Sequence, residues 1–203
     1  TGLTRTFAQS AREVNRVLDP KPGAVPFGIH MMIGKNHTTF LADTTINERP
    51  SASELAYIAR ETAAVARRMG HEPRVAFLSY STFGNPEGDR SEKVREAVRI
   101  LDKRGVDFEY EGDIAADVAL DPYHSLTYPF SRLSGEANIL VMPAIHSESI
   151  STKLLEGMSR ATIIGPVLLG MSKSVQIASL GATVNDIVNL ATVAAFDFDR
   201  VGE

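Results

Sequence analysis

RVAFLSYSTFGNPEGDRSEKVREAVRILDKR, residues 74–104, holds in one unbroken stretch the pattern that decides the fold. Arg74–Ser79 is a short apolar run of strand character. Ser79–Asp89 is a loop of Ser, Thr, Gly, Asn and Pro, and Asp89–Arg104 is an amphipathic helix. A strand that passes through a polar loop into a helix is the repeating unit of a layered α/β domain. The hydroxyls of Ser79, Ser81 and Thr82 lie beyond the carboxyl end of a strand, where open α/β sheets bind their ligands. Gly84 permits close backbone approach. Hydroxyls that only cap and turn the chain account for the same residues, and no formal phosphate-loop or dinucleotide motif is present.

The alternation extends in both directions. Upstream, Ser51-Ala52-Ser53-Glu54 is a capping-box pattern, and Leu55, Ile58, Ala59, Thr62, Val65, Ala66 and Met69 keep the helical period until Gly70. Phe27–Ile33 and Thr38–Ala42 read as strands joined by a Gly34-Lys35-Asn36-His37 turn. Leu3–Leu18 reads as an amphipathic helix stopped by Asp19-Pro20-Lys21-Pro22-Gly23. Downstream, strands are expected over Asp107–Tyr110, Asn138–Met142, Thr162–Leu169 and Val175–Ala178. Helices are expected over Ala115–Leu120, Ser149–Met158 and Val184–Phe196. The sheet should begin antiparallel and continue largely parallel.

A chain of 203 residues can bury roughly 70% of its unfolded surface. Its net charge of −4 argues against nucleic acid or an anionic membrane as the main partner. Without cysteine there are no disulfides, thiolate nucleophiles or Cys-based zinc sites, which fits a cytoplasmic setting. No run of about 18 apolar residues and no signal-peptide pattern occurs. His30, His37, His71, His124 and His146 show no ligand spacing, so no metal site is expected. Because the chain opens on Thr1 with an unpartnered amphipathic helix, it reads as a piece of something longer.

Other segments carry weaker signals. Asn138–Met142 runs through Pro143 into the polar loop Ala144–Ser149, and Lys153 lies about one turn into the next helix, either near a phosphate or simply solvated. Gly165-Pro166 punctuates a core strand first and lines a ligand wall second. Asp113 and Asp117, four apart, read as cap and surface. In Ser179-Leu180-Gly181, with Asp186 after it, a hydroxyl, a glycine and a carboxylate meet at a strand–helix junction suited to an anion, yet no cation accompanies them. Thr183-x-x-Asp186 is also close to a capping arrangement that would justify the carboxylate alone.

The order of these motifs resembles phosphate acetyltransferases: Ser79–Gly84, then Gly135–Asn138 with Pro143, then Lys153, Gly165-Pro166, and Ser179–Gly181 with Asp186. More closely, residues 74–120, residues 132–155 and the opening TGLTR resemble the acetyltransferase-like C-terminal domain of bacterial hybrid NADP-dependent malic enzymes. The resemblance implies a two-lobed α/β fold with mixed, mostly parallel sheets flanked by helices and a cleft between lobes. Residues 1–20 would supply a helix of the first lobe, 21–175 the second lobe, and 176–203 the return to the first. It implies acetyl-CoA or a related acyl-CoA in the cleft, contacted by Ser79, Ser81, Thr82, Gly84, Asn138, Lys153, Gly165, Ser179, Gly181 and Asp186. It further implies a homodimer within a larger homo-oligomer, with NADP and a divalent metal only in an upstream malic enzyme domain.

Departures from the active pattern fall at the chemistry. Active members resemble Ser-Arg-Gly where this chain has Ser179-Leu180-Gly181, and losing such a charge-assisted contact typically lowers a rate about 10²–10³-fold. The tyrosine of Gly-Asn-x-x-Tyr-Lys is missing from Glu148–Lys153, Glu148 would bring negative charge near the phosphate position, and a lysine has become Phe83. The first expectation is therefore a regulatory, oligomerising domain that senses acetyl-CoA in a degenerate site of Ser179, Leu180 and Asp186, with no catalytic residue. The alternatives are a working phosphate acetyltransferase and a purely structural dimerisation module.

Overall fold

The computed structural model describes residues 7–35, 37–43, 45–159 and 161–196. The expected helix over Leu3–Leu18 therefore lies partly outside the described residues, and its visible part is α1, Phe7–Val14. The other elements follow as β1 (Phe27–Ile33), β2 (Thr38–Ala42), α2 (Ala52–Arg68), β3 (Arg74–Leu78), α3 (Asp89–Arg104), β4 (Glu109–Ile114), α4 (Ala116–Ala119), α5 (His124–Thr127), β5 (Ile139–Val141), α6 (Ile145–Met158), β6 (Thr162–Leu169) and α7 (Val184–Phe196).

The six strands form one mixed sheet in the order β4-β3-β5-β2-β1-β6. β4, β3, β5 and β2 are mutually parallel, while β1 runs antiparallel to both β2 and β6. Strand alternation divides the side chains between two cores. Phe40, Val75, Phe77, Ile139 and Val141 point to one face with α2, α3 and the inner residues Leu190 and Val193 of α7. Leu41, Ala76, Leu78, Leu140 and Met142 point to the other, under Ala119, Leu133 and Ala137. Because both faces are covered, these strands read in sequence as continuous apolar runs. A third cluster sets Ala11 of α1 against Leu168, Met171 and Ile177.

Local chemistry fixes the boundaries that the sequence makes clear. The capping box of α2 is complete: Ser51 Oγ accepts from Glu54 N at 3.2 Å, and Glu54 Oε2 accepts from Ser51 N at 2.7 Å. Gly105 closes α3 in the left-handed conformation.

Several boundaries differ from the sequence reading by a residue or more, α5 has no counterpart in it, and three of the differences have a visible cause. β4 continues to Ile114 rather than stopping at Tyr110, because the buried carboxylates of Glu111 and Asp113 find donors; Glu111 accepts from Arg132 N at 3.0 Å and from its guanidinium at 3.3 Å. α6 begins at Ile145 rather than Ser149, since Glu148 turns inward. Val175–Ala178 forms no strand. There the Gln176 side chain bonds both the N–H of Leu168 (2.8 Å) and its carbonyl (3.0 Å), replacing a ladder with one amide.

Gly165 lies where β6 passes a register irregularity in β1. Its φ is +143°, and a Cβ there would fall 2.7 Å from His30 Cδ2 and 2.8 Å from the Ile29 carbonyl oxygen. Gly165→Ala is therefore expected to lower stability by about 2–3 kcal/mol, read as a shift of the denaturation midpoint at unchanged slope.

Candidate functional site

The carboxyl ends of the parallel strands gather the polar loops. After β3, Ser79–Gly88 crosses the sheet edge; β4 ends with Asp113 and Ile114 and is followed by Ala115; after β5 comes Pro143, leading into α6. β3 and β5 are neighbours, yet their helices lead opposite ways, α3 to β4 and α6 to β6. That divergence is a topological switch point, where open α/β sheets leave a crevice.

Within the β3 loop the hydroxyls are joined. Ser79 Oγ lies 3.1 Å from Ser91 Oγ and 3.2 Å from Ser81 Oγ, and Ser81 Oγ lies 2.6 Å from Ser91 Oγ. Ser81 and Ser91 are fully buried, whereas Ser79 is half-buried and stands at the open end. The inner end is Asp113, whose Oδ2 accepts from Ser81 Oγ. Its Oδ1 accepts from Gly84 N at 3.2 Å, and the Arg95 guanidinium lies 3.5 Å from Oδ2. Asp113 is thus a wholly buried strand residue that organises the loop, which corrects its reading as a helix cap. Only Asp117 keeps its place on α4.

Thr82-Phe83-Gly84-Asn85 forms a tight turn in which Thr82 N and Asn85 N each donate to the other residue's carbonyl, at 3.0 and 3.1 Å. Both central residues have positive φ, +52° for Phe83 and +85° for Gly84. That geometry suits glycine at the second place and is strained for phenylalanine at the first. The Phe83 ring is held by Phe130 (centroids 4.9 Å apart) and Tyr128 (5.1 Å). Thr82 Oγ1 accepts from Ala115 N at 3.0 Å.

The other expected contacts lie elsewhere. Asn138 stands at the opposite, amino-terminal edge of the parallel strands, where it accepts from Arg74 N and donates to the Glu72 carbonyl, both at 2.8 Å. Gly165 makes the backbone approach to His30. Lys153 is exposed on α6, with Nζ bonded to Ser149 Oγ one turn back at 3.1 Å. Ser179 and Gly181 are exposed in a turn, Leu180 between them is 64% exposed, and Ala182 N donates to the Ser179 carbonyl at 3.2 Å. Asp186 is bound into the capping arrangement of α7: Oδ2 accepts from Thr183 N (2.7 Å) and Thr183 Oγ1 (2.8 Å), and Asp186 N donates back at 3.2 Å. The bond from Thr183 N, then that from its hydroxyl, hold the Asp186 carboxyl below its ordinary range. Glu148 is buried, accepts from Thr152 Oγ1 at 2.5 Å and lies 3.3 Å from His30 Nδ1. It faces the protein interior.

Sequence reasoning missed Lys93 and Ser91, which stand in the first turns of α3 as members of a charged helix. Lys93 Nζ donates to the Pro143 carbonyl at 2.8 Å, bridging the two diverging loops. A depression of about 400 Å³ lies on the outer side of the β3 loop, lined by Gly84, Glu87, Gly88, Glu92 and Arg95. Its two glutamates and the pairing of Arg95 with Glu92 and Asp113 make it unfavourable for an anion.

Asp113→Ala is expected to cost about 2–4 kcal/mol in a denaturation titration and to raise hydrogen exchange across Ser81–Gly84. Asp186→Ala should speed exchange in the first turn of α7 roughly three- to fivefold at neutral pH. The unfolded chain takes up the Asp186 proton at higher pH than the folded one. The cap's contribution is therefore complete above the ordinary aspartate range and lost as pH falls through the depressed folded value, where variant and parent should converge.

The chain matches the family model described as phosphate acetyl/butaryl transferase over residues 1–195. It is 54% identical to the NADP-dependent malic enzyme of Rhizobium meliloti (strain 1021), covering 97% of this chain but 26% of that enzyme. To the phosphate acetyltransferase of Clostridium acetobutylicum it is 32% identical, covering 98% of this chain and 63% of that one. Among solved structures, the EutD phosphotransacetylase from Staphylococcus aureus superposes with a TM-score of 0.84 at 28% identity, over 97% of this chain and 62% of the other. A phosphotransacetylase from Streptococcus pyogenes gives the same score at 30% identity, over 97% and 61%. The chain thus spans about a quarter of the malic enzyme and under two thirds of the transferases. With its sheet, its order of loops and its sequence all in agreement, it belongs to the phosphate acetyl/butaryl transferase family.

Proposed function

We propose that this chain is the regulatory and oligomerising domain of an NADP-dependent malic enzyme, an oxidoreductase that converts malate to pyruvate, and that it senses acetyl-CoA or a related acyl-CoA in a degenerate acetyltransferase site. The observation that carries the reading is the 54% identity to a malic enzyme across 97% of the chain, set against 26% of that enzyme. NADP and a divalent metal belong, on this reading, to an upstream domain, and the assembly is a cytoplasmic homodimer within a larger oligomer.

The geometry at Ser179–Gly181 supports binding without transfer. Acyl transfer to or from phosphate develops negative charge that a fixed cation must meet, and here the residue between Ser179 and Gly181 is an exposed leucine. Asp186 is already occupied, accepting from Thr183 at the start of α7. Any difference in acyl-CoA affinity between two arrangements of the assembly shifts the equilibrium of the attached enzyme.

Calorimetry on the intact protein should show saturable acetyl-CoA binding, and acetyl-CoA should change the rate of malate oxidation. Acetyl phosphate with coenzyme A should give no turnover above background. Absence of both binding and rate change would leave a structural dimerisation module. Turnover abolished by Ser179→Ala or Asp186→Ala, with the fold intact, would instead establish a working transferase.

A further inference from the structure

Among the described residues, the crevice between the carboxyl ends of β3 and β5 holds a cation that no other group neutralises directly. Lys93 reaches it from the second turn of α3. Its hydrogen-bond partner is the uncharged Pro143 carbonyl, and no carboxylate of the described residues lies within ion-pairing distance. Nearby arginines are placed differently: Arg95 bridges Glu92 and Asp113, and Arg99 bridges Glu92 and Glu96. The closest influence of opposite sign is Glu54, which is itself bound by the backbone and hydroxyl of Ser51.

Around Lys93 the one opposing charge among the described residues is Glu54, which does not pair with it directly. Burial pushes its ammonium below the ordinary lysine range, with Glu54 opposing the shift less strongly. An anion at the site would relieve that cost. The half-buried hydroxyl of Ser79 opens nearby, joined through Ser91 to the helix that carries Lys93. α3 and α6 both begin at this edge without a side-chain cap on their first N–H groups. Neither Lys153, exposed and bonded within α6, nor the glutamate-lined depression beside Arg95 offers comparable conditions.

We propose that Lys93 Nζ anchors a phosphate group in the crevice between β3 and β5. The phosphate is either part of an acyl-CoA or a free phosphate or acyl phosphate. The coenzyme source rests on the acyl-CoA reading above; the anion site itself does not. A compact ammonium on a flexible stem suits a phosphate as a point charge, without the fixed fork that arginine presents.

The test uses the intact protein and three probes: acetyl-CoA, inorganic phosphate, and acetyl-pantetheine, which keeps the thioester but carries no phosphate. Lys93→Met is expected to weaken the phosphate-bearing probe that binds by about 10–100-fold, Lys93→Arg by about threefold or less, and neither should alter acetyl-pantetheine. Should Lys93→Met fold poorly, amine labelling of the unmutated protein decides: the bound ligand should protect Lys93 and leave the exposed Lys103 unprotected. Acetyl-CoA binding that is indifferent to Lys93 overturns this assignment and leaves the acyl-CoA reading standing. Lys93-dependent binding of inorganic phosphate without acetyl-CoA binding does the reverse. Equal weakening of acetyl-pantetheine, unprotected Lys93 at saturation, or no binding of any probe overturns the assignment.

Discussion

A carboxylate taken wholly out of water must be met by donors, and at the candidate site Asp113 sets that demand. Ser81 hydroxyl, Gly84 N–H and the Arg95 guanidinium come to it from the loop after β3 and from α3, while the residue itself belongs to β4. Two parallel strands, the loop between one of them and its helix, and the helix itself are thereby fixed to a single charge. The strained turn at Phe83-Gly84 is tolerable because of this support: Phe83 N donates to the Asp113 carbonyl at 2.8 Å, and the Phe83 ring is enclosed by aromatic neighbours. With that loop immobilised, Ser79 presents its hydroxyl at a defined place on the sheet edge.

The same economy of charge explains why a lysine without an ion-pair partner among the described residues stands at the carboxyl ends of β3 and β5 although the chain is acidic overall. The arginines on the outer face of α3 are locked into pairs with glutamates three or seven residues away, which neutralises them locally and adds little stability in solvent. Lys93, two residues after buried Ser91 and one before buried Val94, projects toward β5 and escapes that network. One helix therefore carries a balanced charged face outward and, inward, an ammonium with no carboxylate of the described residues in direct contact. Net charge describes what large partners meet at a distance; the sign at a crevice depends on a single turn.

Much of the fold was legible because periodicity and turn chemistry agreed. β1, β2, β6, α3 and α7 have the boundaries read from the sequence, and the α2 capping box formed as written. Legibility failed where a side chain substituted for backbone or a polar residue was buried. Gln176 imitates a strand's hydrogen bonds with its amide, a contact with Leu168 that only the folded chain creates. Glu111, Asp113 and Glu148 look like solvent-facing residues until Arg132, Ser81 and His30 are brought to them across the fold. The candidate site was legible in its β3 loop, while the proposed anchor Lys93 was not, because a lysine in Asp89–Arg104 is indistinguishable by pattern from its exposed neighbours.

Asp186 shows why retained residue types are a poor guide to retained chemistry. Its carboxylate accepts two bonds from Thr183 and lies at the positive end of α7, so folding alone gives a reason to keep an acidic residue there. A cation beside Ser179 has no such structural employment: the turn is exposed, leucine occupies the position without displacing anything, and nothing in the packing needs a guanidinium. When selection for transfer is relaxed, groups with a second role in folding persist and groups with only a chemical role are free to change. The pair Leu180 and Asp186 has that asymmetry, which is what the proposed role in binding and assembly would leave on a transferase scaffold.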